Sequence, residues 1–312
     1  MVFFNNLAKF MQSGNKKLVV VAGPTAVGKT NLCIKLAKAF STEIISADSR
    51  QFYRELSIGT AKPTREEMQG VTHYFIGSHS IEEDYDVGKY EIDVLNLLEK
   101  LFKEKDIIIL TGGSGLYIKA VCEGFDEIPD VKEGLREELN LSYEENGLVP
   151  LVKELKELDP EYAQEVDLAN PQRVIRALEV IKSTDKPFSS FLKQTKKKRP
   201  FNIIKVGLNR DREELYKRID LRMDEMLTRG LLKEATALYQ YKNRNALQTV
   251  GYQELFDFLD NKYNYEESVR LLKRNSRRYA KRQLTWFKKD SEFQWFHPDQ
   301  EDEIIKYLEG IY

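Results

Sequence analysis

Apolar residues recur along this chain at two different periods. Four aliphatic residues in a row, 18–21 (LVVV), are too few for a helix and run into glycine, so they read as a short strand buried on both faces. Residues 43–47 (EIISA), 106–110 (DIIIL) and 202–208 (NIIKVGL) repeat that pattern. Residues 73–76 form a weaker extended stretch, and 293–296 (FQWF) a last short strand. Between these runs the spacing becomes helical. Leu32, Leu36 and Ala39 share a face, as do Val94, Leu95, Leu98 and Leu101 within 88–103, and Leu215, Ile219, Met223 and Met226 within 211–230. A final helix is expected over 298–310. Strands alternating with helices predict an α/β fold built on a doubly wound, mostly parallel sheet.

Residues 124–200 break the alternation. A parallel crossover needs only about a dozen residues, and this Glu/Lys-rich stretch is several times longer, with helical patterns at 149–158 and 170–181 and no convincing strand. It is expected to be an inserted all-helical domain in a core made of 1–123 and 201–312. Asn170 followed by Pro171 is a good helix start, a cap and then a first-turn proline. Arg173 and Arg176 then fall on one face.

The balance of 41% hydrophobic and 32% charged residues over 312 residues excludes a disordered or membrane-embedded chain and suits one large or two modest domains. In residues 1–17 the apolar positions are interrupted by Asn5, Asn6 and Lys9, so a poorly ordered arm and a cytoplasmic, monomeric protein are expected. Cys33 and Cys122 have no metal-ligand spacing, and His73, His79 and His297 are scattered, so neither zinc nor a disulfide framework follows. Net charge is −1, but distribution matters more than the sum. Basic residues crowd 193–199 (KQTKKKR) and 270–289, where Arg270, Arg274, Arg277 and Lys281 form a stripe at steps of four, three and four beside Arg278 and Arg282. Acids gather at 82–86 and 299–303. Such a stripe, unbalanced by acids in its own segment, fits a polyanion.

The chemistry begins where the first strand ends. Gly23, Pro24, Thr25, Ala26, Val27, Gly28, Lys29 and Thr30 fit Gly-x-x-x-x-Gly-Lys-Thr in the required strand-loop-helix context. Glycines let successive backbone N–H groups curl inward, the next helix offers its positive end, Lys29 adds a point charge, and Thr30 supplies a hydroxyl for Mg²⁺. Asp48 follows the second strand and residues 111–115 (TGGSG) a later one. Ligands in parallel sheets bind beyond the strands' carboxyl ends, so all three should meet in one crevice. No Asn-Lys-x-Asp reads guanine, and DIIIL ends in Thr-Gly rather than in an acid for an ATPase metal. Two readings remain from the residues alone: a small-molecule kinase with Asp48 as base, and a transferase using the loop for a diphosphate leaving group.

The runs GPTAVGKT, DSRQFY, IGTAKP, TGGSGLY, NPQRVIRALEV, TVGYQE and RRYAKRQLTWFK, in this order from residue 23 to about 288, resemble the tRNA dimethylallyltransferases, also called tRNA isopentenyltransferases. The resemblance implies transfer of a dimethylallyl group from dimethylallyl diphosphate to the exocyclic N6 of the adenosine 3′-adjacent to a tRNA anticodon. It implies that Asp48 is the general base, that Thr25 and Arg222 act with the loop on the diphosphate, and that Mg²⁺ sits on Thr30. It also implies tRNA contacts at Asp48, Ser49, Arg50, Gln51, Ser114, Arg136, Gln172, Arg173, Val174, Ile175 and Arg176, with Arg274 and Arg278 on phosphates. Ser114 stands where relatives commonly carry threonine and preserves the hydroxyl. No zinc finger follows Trp286, so a bacterial-type member is implied.

Overall fold

The computed structural model describes residues 16–126, 128–192 and 196–310. Residues 1–15 of the expected N-terminal arm and residues 193–195 of the basic run lie outside the described residues, while Lys17, expected in the arm, is the first residue of a strand. Two compact units divide the chain, Met1–Glu123 with Lys198–Tyr312, and Gly124–Lys197.

The first unit is built on six strands: β1 (Lys17–Ala22), β2 (Ile44–Ser46), β3 (His73–Tyr74), β4 (Ile107–Gly112), β5 (Asn202–Leu208) and β6 (Phe293–Phe296). They lie in the order β3-β2-β4-β1-β5-β6, and every pair is parallel. β3 is shorter than the apolar run suggests because Phe75 and Gly77 both take φ of 60°, a left-handed turn that ends the extended chain. Alternation along β1 shows how a strand reading as solid apolar works. Val19 and Val21 enter one core with Leu32, Cys33 and Leu36 of α1 (Lys29–Ala39), while Leu18, Val20 and Ala22 enter another on the opposite face. That second core takes Tyr90, Val94 and Leu98 from α3 (Val87–Leu101) and Ile118 and Val121 from α4 (Gly115–Glu123); a short helix, α2 (Arg65–Met68), precedes both. Helices on both faces make the sheet doubly wound.

The inserted unit holds α5 (Leu135–Asn146), α6 (Leu148–Leu158), α7 (Pro160–Glu165) and α8 (Pro171–Thr184). Its own core joins Leu139, Leu151, Leu155, Val174, Ile175 and Leu178. α8 starts as its sequence dictates, with Asn170 accepting from the Arg173 N–H at 3.3 Å and Pro171 in the first turn. Two expected RNA contacts need correction here: the side chains of Val174 and Ile175 are wholly buried in this core, so they pack the helix and do not offer themselves to a ligand.

After β5 come α9 (Arg212–Thr228), α10 (Leu231–Leu238), α11 (Tyr252–Leu259), α12 (Tyr265–Phe287) and α13 (Glu301–Glu309). Met223 and Met226 of α9, Leu231 and Ala235 of α10, Tyr252 and Leu255 of α11 and Leu272 of α12 close a third core over Tyr53 and Leu56 of the β2–α2 loop. This packing sets α9 and α12 beside the carboxyl ends of the strands. No helix among the described residues is long and apolar enough to cross a membrane.

Candidate active site

Leaving β1, the chain turns twice through left-handed backbone, at Ala26 (φ 62°) and Gly28 (φ 114°), and so curls into a cradle before α1 begins. A Cβ on Gly23 would lie 2.7 Å from the Leu208 carbonyl oxygen, so β5 can approach only because this residue has none. Lys29 Nζ folds back and donates to the Gly23 and Pro24 carbonyls, both at 2.9 Å. Removal from water pulls its pKa down to about 8, with Arg222 adding to the fall and Asp48 opposing it. The Thr30 side chain is exposed at the cleft.

Arginines from the segment after β5 hold the outer wall of the loop. Arg210 Nε donates to the Val27 carbonyl and Arg218 Nε to the Ala26 carbonyl, each at 2.9 Å, and Arg222 Nη1 reaches Thr25 Oγ1 at 3.3 Å. Burial lowers the pKa of Arg222, which Asp48 partly offsets. These contacts satisfy loop carbonyls and surround the cradle with positive charge.

Asp48 stands at the end of β2, with Oδ1 accepting from the Arg50 N–H at 3.0 Å. Ser114 Oγ accepts from the Ser49 N–H at 3.0 Å and reaches Ser49 Oγ at 3.2 Å, so the turns after β2 and β4 are tied together. A Cβ at Gly112 would lie 2.2 Å from the Ala47 carbonyl oxygen, and this close approach brings Asp48 beside the glycine turn. Behind the loop, Phe52 stacks on Tyr90 at 5.1 Å and meets Tyr85 edge-on at 5.6 Å, anchoring the segment that carries Asp48 and Gln51.

The two turns and the cradle line one cleft of about 550 Å³, together with Gln51, Arg218, Arg222, Tyr279 and Gln283. Sequence reasoning missed Gln283. Its Oε1 accepts from the Thr25 N–H at 2.8 Å and its Nε2 donates to the Gly113 carbonyl at 2.9 Å, so one buried amide joins phosphate loop to glycine turn. The signal was present: Leu272, Ser276, Ala280, Gln283 and Phe287 occupy the buried face of α12, and a long polar side chain on that face needs partners. Tyr279 was missed too. Burial pushes its phenol up to about 12, with Asp48 contributing.

Other expected contacts lie elsewhere. Arg274 borders a separate groove of about 460 Å³ with Lys242, Asp260 and Tyr263. Arg278 is exposed on α12. In the inserted unit, Gln172 and Arg173 are exposed, while Arg136 and Arg176 both bind the buried carboxylate of Glu179, each at 2.8 Å. Burial pushes Glu179 up, but the two guanidiniums hold it below its ordinary value. The basic stripe is less unbalanced than its own segment suggested. Arg270 pairs with Glu267, Lys273 with Asp224 and Arg277 with Asp220, the last two acids coming from α9.

An acidic triad of Glu123, Asp290 and Glu292 has its oxygens within 4.8 Å of one another. Lys205 Nζ lies 2.6 Å from Asp290 and Glu292 and 3.5 Å from Glu123, so an ammonium already supplies the positive charge there. The Thr30 hydroxyl, exposed at the cleft and with no ammonium bonded to it among the described residues, is the oxygen donor there that would be open to a divalent cation.

Cradle, carboxylate and arginine wall define a phosphate-loop enzyme of the α/β class whose loop faces a basic residue set rather than a nucleotide-hydrolysis apparatus. Comparison with known proteins narrows the class. Residues 51–290 match the family model described as IPP transferase. The chain is 57% identical over 296 residues to a tRNA dimethylallyltransferase of Cytophaga hutchinsonii, covering 95% of this chain and 97% of that one. It is 50% identical over 295 residues to tRNA dimethylallyltransferase 1 of Bacteroides fragilis, covering 95% and 98%. Among solved structures, a full-length tRNA isopentenylpyrophosphate transferase from Bacillus halodurans superposes with a TM-score of 0.70 at 38% identity, covering 95% of this chain and 96% of that one. A eukaryotic dimethylallyltransferase acting on tRNA gives 0.72 at 30%, covering 87% and 69%. The chain belongs to the IPP transferase family, with the tRNA dimethylallyltransferases as its relatives.

Proposed function

We propose that this protein transfers a dimethylallyl group from dimethylallyl diphosphate to N6 of the adenosine 3′-adjacent to the anticodon of a tRNA. The observation that carries the reading is the meeting of Asp48 with the phosphate loop and Arg222 in one cleft. An adenine amino group is a poor nucleophile because its lone pair is shared with the ring. A carboxylate in reach takes one N6 proton as the C–N bond forms and the allylic C–O bond breaks, and Asp48 is that base. Diphosphate leaves with growing charge. Loop N–H groups, Thr25, Lys29 and Arg222 meet that charge with donors and cations already fixed around the cradle. Thr30 would hold Mg²⁺, which when bound supplies further positive charge to the leaving group.

The acceptor base is stacked in the RNA and has to be turned out to reach such a cleft. Ser49, Arg50, Gln51 and Ser114 belong to the turns around Asp48, and they are assigned to the extruded base and its neighbours. Gln172, Arg173, Arg176 and Arg136 give the inserted unit a polar, basic edge for the anticodon arm, and Arg274 and Arg278 are assigned to phosphates.

Incubating the protein with unmodified tRNA and labelled dimethylallyl diphosphate, and in parallel with labelled ATP, tests the reading. Label is expected in RNA from the prenyl donor alone. Label entering an acceptor only from ATP would favour the kinase reading of the same loop and sink this one.

A further inference from the structure

The motif TVGYQE has no part in the transfer chemistry, yet it sits behind the turn that carries IGTAKP. The carboxylate of Glu234 on α10 accepts from the backbone N–H groups of Ser57 at 3.2 Å, Ile58 at 2.8 Å and Gly59 at 2.9 Å, and from the hydroxyl of Tyr252 at 2.6 Å. Four donors use the acceptor capacity of one carboxylate, so this turn has a single well-defined seat. Tyr252 is wholly buried, and a Cβ on Gly59 would lie 2.6 Å from its ring, so the seat also has a fixed floor. Glu254 of the same motif accepts from the Gly251 N–H at 2.8 Å and from Asn275 of α12 at 2.7 Å, which locks Tyr252's helix to the next.

What leaves this turn enters the cleft. The carbonyls of Thr60 and Ala61 accept from Gln51 Nε2 at 3.1 and 3.2 Å. The amide nitrogen is thereby committed to the loop, and Oε1 is left as an acceptor, 3.5 Å from Ser46 Oγ. Gln51, Thr60 and Asp48 line the same cavity. Adenine N6 carries two hydrogens, so a base whose one proton goes to Asp48 still has a second to donate.

We propose that Glu234, with Tyr252 behind it, is a positioning residue for the transfer: it seats the Ser57, Ile58 and Gly59 turn, which fixes the Gln51 amide and so the pose of the acceptor base beside Asp48. The inference rests on the prenyl-transfer reading above. It makes Glu234 act through Gln51, without touching diphosphate or RNA phosphates.

The test measures labelled dimethylallyl transfer to unmodified tRNA by wild type, Glu234→Gln, Tyr252→Phe, Gln51→Ala and the double variant Glu234→Gln with Gln51→Ala, each normalised to the fraction that binds diphosphate. Glu234→Gln should lower kcat roughly tenfold and Tyr252→Phe by a few-fold in the same direction, with the KM for the diphosphate and the salt dependence of tRNA binding unchanged. Because contacting residues in one network are not additive, Glu234→Gln should cost nothing further in the Gln51→Ala background. Multiplicative losses in the double variant, or a normalised kcat for Glu234→Gln equal to wild type, would overturn the assignment. Should Glu234→Gln fail to fold, Tyr252→Phe alone and with Gln51→Ala decides by the same criterion. A wild-type protein that transfers no label to tRNA overturns the prenyl reading and this inference together, an outcome distinct from active enzyme with indifferent variants.

Discussion

Asp48 and Lys29 line the same cleft. The carboxylate has to accept a proton while the ammonium has to keep one, and the aspartate's field partly restores the lysine pKa that burial lowers. Replacing Asp48 by Asn keeps the shape and one acceptor but removes the base. Turnover should fall by roughly 10² to 10⁴ with tRNA affinity nearly unchanged, and a folded variant that keeps most of its turnover would remove Asp48 from the mechanism. Lys29 gives a pH signature. With a pKa near 8 it is largely protonated at neutral pH, so diphosphate affinity should be flat below about pH 8 and fall above it as the cation is lost. Stability moves the other way. The unfolded chain, with its lysine near 10.5, binds more protons between pH 8 and 10.5, so the folded state gains stability as pH rises through that window. Lys29→Met should abolish both trends; either trend surviving in that variant would assign it to another group.

At the scale of elements, periodicity made the strands and the phosphate loop legible, because a buried parallel strand and a glycine cradle are local properties of a few consecutive residues. What stayed hidden needed partners far along the chain. Gln283 meets Thr25 and Gly113 across more than half the sequence, and Glu234 meets Gly59 through a packing that no spacing announces. Lys273 and Arg277 on α12 likewise meet acids from far along the chain, Asp224 and Asp220 of α9. Among the described residues no carboxylate pairs with Arg278, which is exposed, whereas Arg270 is held by Glu267 three residues before it. A cation that meets phosphate without a prior partner releases a condensed counterion in full. Arg278→Gln should therefore lower the slope of log tRNA affinity against log salt by up to about 0.9, and Arg270→Gln by clearly less. Equal slopes for wild type and Arg278→Gln would return this face to ordinary solvated surface.

For the whole molecule, each of the two units buries its own apolar surface. Leu139, Leu151, Leu155 and Leu178 close one core within Gly124–Lys197, and Asp159, itself buried, accepts from the Ser189 N–H at 2.7 Å and its hydroxyl at 2.8 Å inside the same unit. The sheet unit has separate cores on each face of β1, and every group of the cradle belongs to it. Replacing residues 124–197 by a short Gly/Ser linker should therefore leave the sheet folded and keep diphosphate affinity, measured by calorimetry, within a few-fold of wild type. Transfer of labelled dimethylallyl to tRNA should be lost, because the arginines of α8 and Arg136 go with the deleted unit. A shortened protein that still modifies tRNA at the wild-type rate would strip the inserted unit of its assigned role, and one that loses diphosphate binding as well would place part of the cradle's support in the insertion.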